Sequence, residues 1–495
     1  MVQSKSKKKN GGEVSHWLIL VLLALAQFMV VLDVSIVNVA LPSIQHAFNM
    51  SNTSLQWIVT AYTLTFGGFL LLGGRAADLF GRRKIFLSGV AVFTLASLVD
   101  GLAQSGGMLV GARLAQGLAG AFMSPAALSI VLVTYREGHE RNVALSVWGA
   151  VASGGAAAGV LFGGIITQYL NWRWNFFVNV PIGILVIISA LRLLDRHDST
   201  VDHNNLDLPG AVLVTGGLIS LVYGLVKAPT DGWTGGLPLI CFVVAAVALV
   251  GFVVNELRAK HPLMPLKIFR IRNLSGADSM MLLMAAGMFS IFFFTTLYMQ
   301  EVLGYTPIRT GLSFLVVPLA VAFTATNVPR IIQKVGYKPI LVVAPLFVSS
   351  GLFYLSHVPV AGTFWGNVAP GLILMGLGMG GTFVASTIAA TSGVPHHESG
   401  LASGLLNTSQ QVGGALGLAV LTGLASSSIA RYLTNLHLHT VPTHAQVTAA
   451  TVHGFHDGYL IGSTFGLAAA LLAAVVIRRQ TAASDASHAE IIPGV

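Results

Sequence analysis

Apolar stretches about 20 residues long recur from Trp17 to Ile477, and that recurrence leaves the chain few folds to choose from. A run of that length crosses a bilayer's hydrocarbon core as an α-helix. Inside lipid no water pairs with backbone N–H and C=O groups, so only helices or closed barrels can span. No alternating barrel pattern appears, and fourteen helical spans can be placed: 17–39, 54–74, 85–103, 107–134, 143–168, 175–194, 208–227, 236–256, 277–300, 310–331, 339–357, 364–389, 400–426 and 457–477. Composition agrees, since 9% of residues are charged where soluble domains carry about 25%. The single cysteine, Cys241, excludes an internal disulfide and a cysteine metal cluster.

Basic residues test this count independently. With fourteen spans, the termini and the loops after even-numbered spans share one side, and that side holds twenty-two of the 27 lysines and arginines. The opposite side has Arg173, Lys227, Arg309 and Arg431, while Arg113 falls inside span 4. By the positive-inside rule both termini are expected in the cytoplasm. The net charge of +9 is therefore topological and does not imply a nucleic-acid partner. The first apolar run follows a basic flank but is too long for a signal peptide, so it is expected to stay as a span.

Two polar breaks, 195–207 and 256–273, isolate a central pair of helices (about 208–227 and 236–256) between two groups of six. The expected organisation is an N-terminal tail (1–16), a six-helix bundle (17–194) and a linker carrying the two extra helices (195–272). A second six-helix bundle (273–477) and a C-terminal tail (478–495) follow. Loops after spans 2 and 10 align without gaps: Arg75 with Arg330, Gly81 with Gly336, Arg83 with Lys338, and Asp78 with the neutral Gln333. Such correspondence fits parallel repeats about an axis along the membrane normal.

Charged or polar residues inside spans need a reason, because a charge at the bilayer centre costs about 2.5–3.5 kcal/mol on insertion scales. Asp33, in QFMVVLDVSIVNVALP, is neutralised by a polar partner, lies near the interface, or takes up and releases a proton. Arg113 cannot shed its proton and must find an anion, polar groups, water or a nearby interface. In GGRAADLFGRRK, Gly74 and Gly81 bracket Asp78, which can accept hydrogen bonds from helix N-termini and from Arg82 beside Arg83, as a latch. Span 5 carries Gly149, Gly154, Gly159, Gly163 and Gly164, whose spacing lets a neighbouring helix approach closely.

The pattern G-x3-D-x2-G-R-R/K resembles the cytoplasmic signature of the major facilitator superfamily. LDVSIVNVALP (32–42), ARLAQGLAGAFMSPA (112–126) and WGAVASGGAAAGVLFGG (148–164) resemble, in order, motifs of its fourteen-span drug:H+ antiporters. The resemblance implies an all-α integral membrane protein of major facilitator type: fourteen transmembrane helices in two six-helix bundles plus two central helices, rocking about a central cavity. It makes Asp33 and Arg113 the proton-coupling residues, and it implies that the glycine face of span 5 pairs with the other half and seals the outer side. One departure stands out, Val160, where the antiporter motif usually has a proline.

The expectation is therefore a proton-coupled exporter of amphipathic or cationic small molecules. It is read as a monomer in a bacterial plasma membrane, surrounded by lipid, with protons as coupling ion and no other cofactor. In this reading a proton from outside neutralises a cavity carboxylate and weakens cation binding. A cavity drawn from flexible and polar side chains would include Asn38, Gln116, Met284, Met288, Phe292, Asn407, Gln410 and Gln411. Asp278 and Glu301 are expected at the interfaces, and 427–456 as a long external loop with several histidines but no established metal-ligand spacing. No nucleophile–base pair, metal site or phosphate-binding loop suggests an enzyme or an ATP-driven pump. A facilitator with other coupling, and a membrane sensor or enzyme on a transporter scaffold, remain the alternatives.

Overall fold

The computed structural model describes residues 12–135, 139–194, 207–260, 262–392, 394, 399–436 and 441–478. Long helices follow one another: α1 Gly12–Phe48, α2 Trp57–Phe80, α3 Arg82–Leu102, α4 Gly106–Thr134, α5 His139–Tyr169, α6 Asn179–Leu193 and α7 Leu208–Asp231. The chain continues with α8 Gly236–Arg258, α9 Arg272–Leu297, α10 Val316–Val335, α11 Tyr337–Leu355, α12 Ala369–Thr391, α13 Ser399–Asn435 and α14 His444–Val476. Thirteen of these segments are long and apolar enough to cross a membrane among the described residues. The 31-residue helix α5 fills the remaining expected span. Short helices, Trp174–Phe177 and Pro307–Phe314, precede α6 and α10.

Helices α1–α6 pack mainly among themselves, and so do α9–α14. Between them α7 and α8 form a pair, with α7 lying against α2 and α13. The seam there is apolar: Leu64 of α2, Leu218, Val222 and Val226 of α7, and Val412, Ala415 and Ala419 of α13. Outward-pointing Val243, Val247 and Val250 of α8 are exposed, as a lipid-facing surface requires.

The paired loops have matching backbones. Gly81 (φ 98°) alone separates α2 from α3, and Gly336 (φ 78°) alone separates α10 from α11. Both sit where only glycine turns freely. Arginines bind helix C-termini nearby: Arg83 Nη2 donates to the Leu191 carbonyl at 3.1 Å, and Arg272 Nε to that of Val476 at 2.7 Å.

Two expectations on boundaries are corrected. Helix α1 begins by Gly12, inside the expected tail. The expected loop 427–456 is mostly helix, because α13 runs to Asn435 and α14 starts at His444. Thr443 and Gln446 form a capping box that starts α14 early. Polarity suggested a loop there, but helices of 37 and 33 residues project past the bilayer and solvate their polar ends. His437 and His439 lie outside the described residues; His453 and His456 sit on α14.

Candidate functional site

The N-terminal half buries its polar groups in one place. Helices α2 and α4 approach closely because Gly117 lies against the Tyr62 carbonyl, where any Cβ would collide. Thr65 Oγ1 reinforces the contact by donating to the Leu114 carbonyl at 2.9 Å. This brings Arg113 to α2, where its Nε donates to the Ile58 carbonyl at 3.1 Å and its guanidinium lies 4.3 Å from the Tyr62 ring centroid. Its Nη1 donates to Asp33 Oδ2 and to Gln116 Oε1, each at 2.5 Å.

Asp33 is thus the anion that Arg113 requires. Its Oδ1 accepts from Gln116 Nε2 at 2.8 Å and from Asn179 Nδ2 at 2.9 Å. Ser97 of α3 joins α4 to α6, its Oγ accepting from Gln116 Nε2 at 2.6 Å and from Asn179 Nδ2 at 3.4 Å. Asp33 and Gln116 are 0% exposed and Arg113 1%. Burying two ions costs several kcal/mol each, so a pair at this depth persists only with its remaining donors and acceptors satisfied. Asp33 meets that condition with three donors from two helices, α4 and α6.

A lysine at 113 would keep the charge and lose the planar fork. Arg113→Lys is expected to lose the bond to the Ile58 carbonyl and to leave Gln116 Oε1 or an Asp33 oxygen short of a donor, at a cost of about 1–3 kcal/mol. Thermal unfolding of the purified protein in detergent should show a lower midpoint, and an unchanged midpoint would contradict the geometry.

Asp33, Arg113 and Gln116 come together, but Gln116 belongs to this network and not to a cavity wall. Met284 and Met288 also depart from the cavity assignment: both are buried in the core of the C-terminal half. Helix α9 is enclosed by α12, α13 and α14, so nearly every face of it packs. Phe292 is half-buried, its ring 5.5 Å from that of Phe314. Asn38 donates to the Val34 carbonyl and Asn407 to that of Ser403, each within its own helix. Gln410 and Gln411 are half-buried on α13, with Gln411 against Gly67 of α2. Asp278, expected at an interface, is 4% exposed with neither carboxylate oxygen partnered, while Glu301 sits half-buried in a π-helical turn.

Of the loop motif, Gly74 lies 3.7 Å from Pro125 Cβ, measured from where its own Cβ would be, and Arg82 and Arg83 are half-buried. The side chain of Asp78 and the environment of Gly149 lie outside the described residues. On α5, Gly155, Gly159 and Gly163 form a stripe against Val31, Ser35 and Ile36 of α1, whereas Gly154 faces open space. Sequence reasoning missed Ser97, Asp100 and Asn179. The polar Asn179 near the start of an apolar span was the available signal for one, and Ser97 with Asp100 share one face of α3 at i, i+3 spacing.

The two halves meet firmly on the side away from the termini. Gln300 Nε2 donates to the Val39 carbonyl at 2.8 Å, and the Ile308 N–H to Gln168 Oε1 at 3.2 Å. Gly164 abuts the backbone of Pro307 and Ile308, and Gly311 abuts the Val160 carbonyl. Helix α5 therefore carries α1 on one face and the opening helix of span 10 on another. Val160 marks that seam: its carbonyl receives Gly311, at the position where the motif usually has proline.

The sequence profile of the Major Facilitator Superfamily matches residues 23–418. The chain belongs to this superfamily. Among its relatives, a puromycin resistance protein of Streptomyces alboniger is 38% identical over 99% of this chain and 97% of its own length. A cephamycin export protein of Amycolatopsis lactamdurans is 40% identical over 82% of this major facilitator and 85% of itself. A lincomycin resistance protein of Streptomyces lincolnensis is 36% identical over 83% and 85%. In fold the facilitator is similar to a bacterial homologue of the lysosomal transporter Spinster in an inward-facing, unoccupied conformation. That match has a TM-score of 0.69 at 15% identity and covers 95% of this chain and 100% of the other.

Proposed function

We propose that this facilitator exports amphipathic small molecules in exchange for protons by alternating access, with both termini in the cytoplasm. The observation that carries the proposal is the buried Asp33–Arg113 pair, set on the same stretch of α1 that packs against the α5 glycine stripe. The names of the relatives, which speak of antibiotic resistance and export, support the outward direction.

A proton on Asp33 removes the negative partner of Arg113 and leaves a buried cation to re-pair with the remaining acceptors. Asp33 then moves relative to α4 and α6, taking α1 with it. Val31, Ser35 and Ile36 pass that displacement to α5, whose Gly164 and Val160 hold the opening helix of span 10. The seam on the side away from the termini thereby responds to the protonation of Asp33. Entry of one charge down the membrane potential supplies about 2.3 kcal/mol per 100 mV, enough to bias such a two-state element.

This route replaces the expected one. Asp33 is fully buried and held by three donors, so its protonation acts through helix packing and not by evicting a cation from a cavity wall. Charge on the substrate is not required by it, and both neutral and cationic amphiphiles fit.

Everted vesicles from cells expressing the protein test this reading. With an acid interior they should accumulate puromycin, lincomycin or an amphipathic dye, and a protonophore should abolish the accumulation. Gradient-independent or absent accumulation across a broad panel would overturn it.

A further inference from the structure

One buried acid has no part in this scheme. Asp100 of α3 is 0% exposed, and neither of its carboxylate oxygens has a hydrogen-bond partner. It lies two residues from the end of α3, on the side away from the termini, which is external in the reading above. Electrostatically it acts on both Arg113 and Asp33. Arg113 carries one positive charge, and Asp33 already answers it. A second bare carboxylate in the same compartment would leave a net buried negative charge, which costs several kcal/mol.

Asp100 also stands one helical turn from the network that holds the pair. Ser97 stands one turn earlier on the same face of α3. Its Oγ accepts from Gln116 and Asn179, the two amides that donate to Asp33, so its own hydroxyl hydrogen is free to be given. Toward the external side the cover is thin. Phe177 lies against Gly101, and Arg173 Nη1 donates to the carbonyls of Gly101 (3.1 Å) and Ala103 (2.5 Å). Beyond them Gln104 and Ser105 are exposed. The charged and titratable groups around Asp100 are Arg113 of α4, Asp33 of α1, Tyr62 of α2 beneath Arg113, and Arg173, which is engaged with backbone; α6 presents the neutral Asn179.

We propose that Asp100 is a second proton-carrying group, taking the proton from the external side and passing it to Asp33. The inference rests on the proton-coupled reading and adds the entry point to it. In the first step a proton from external water adds to the Asp100 carboxylate. In the second, the Asp100 side chain turns toward Ser97 and loses that proton while Asp33 gains one, relayed through the Ser97 hydroxyl and the amides it holds. Arg113 and the two acids sum to zero charge before and after the second step: the anion moves from Asp33 to Asp100 while Arg113 stays positive. The internal transfer thus avoids a net charge in low dielectric, and it ends with Asp33 neutral and released from Arg113.

The experiment compares wild type, Asp100→Asn and Asp100→Glu in proteoliposomes, reading gradient-driven accumulation across a pH series and gradient-free counterflow of the same amphipathic dye. Asp100→Asn keeps the shape and loses the titration, so gradient-driven accumulation should fall about 10- to 100-fold with counterflow retained. Asp100→Glu should restore at least half of the driven rate with a displaced pH profile. An Asp100→Asn variant that couples like wild type overturns the inference. So does a pair of variants that lose counterflow and thermal stability alike, which would mark Asp100 as packing alone. A wild type without gradient-driven accumulation would instead overturn the proton-coupled reading itself, and this inference with it.

Discussion

Asp33→Asn is expected to reduce proton-driven accumulation to background. An asparagine cannot take up the proton, and it leaves Arg113 buried without an anion, a loss of about 3–5 kcal/mol when one partner of a buried pair is removed. If that energy separates the two conformational states, the driven rate falls by about 100-fold or more. Substrate binding by the purified variant should become insensitive to pH, whereas the wild type should release a proton as it binds. A double variant separates structure from coupling. Asp33→Asn with Arg113→Gln removes both charges, so thermal stability should recover toward wild type while coupling stays lost. Retained coupling in Asp33→Asn would remove the centre of the mechanism.

Gly311→Leu should open the seam on the side away from the termini. A side chain at 311 meets the Val160 carbonyl, which belongs to the helix backbone and cannot swing aside. Overpacking of this kind costs about 1–3 kcal/mol, and here the cost falls only on the state in which the seam is closed. The equilibrium between states should therefore shift about 5- to 150-fold toward the form in which this seam is open. Spin labels at Gln168 and Arg309 would report it as a longer distance across the seam. Transport should fall in proportion, with the Asp33 network intact and substrate binding preserved. An unchanged distance distribution would show that the contact at Gly311 does not hold the seam. Gly154→Leu is the matched control, since Gly154 faces open space on α5, the helix that carries Val160, and should tolerate the change.

The division between sequence and structure follows from the range of each interaction. Span positions could be read from the sequence because bilayer thickness and backbone hydrogen bonding act on each segment by itself. So could the turn chemistry at Gly81 and Gly336, where the local backbone demands glycine. The cost of Asp33 and Arg113 was equally legible, because an intramembrane charge is anomalous wherever it lies. Identifying Arg113 as the partner of Asp33 needed the fold, since the two are 80 residues apart and meet only where α1 packs against α4.

Three residues assigned to the cavity, Gln116, Met284 and Met288, are instead buried, for the same reason. Met284 and Met288 sit in a span that is apolar on all sides, and only the enclosing helices decide that those faces are core. Gln116 could have faced a substrate until Asp33 and Ser97 claimed its amide. Asp100 was missed because nothing local distinguishes a solvated carboxylate from a buried one, and Phe177 and Arg173 reach the neighbouring Gly101 only in the fold. By itself the sequence placed the apolar helices of a multi-pass membrane protein and required that Asp33 and Arg113 each find a partner among them. The tertiary structure alone decided which groups those partners are and that Asp33 faces packed helices instead of a cavity. Hydrophobicity is a property of each segment, whereas a hydrogen bond between buried side chains exists only once distant helices have met.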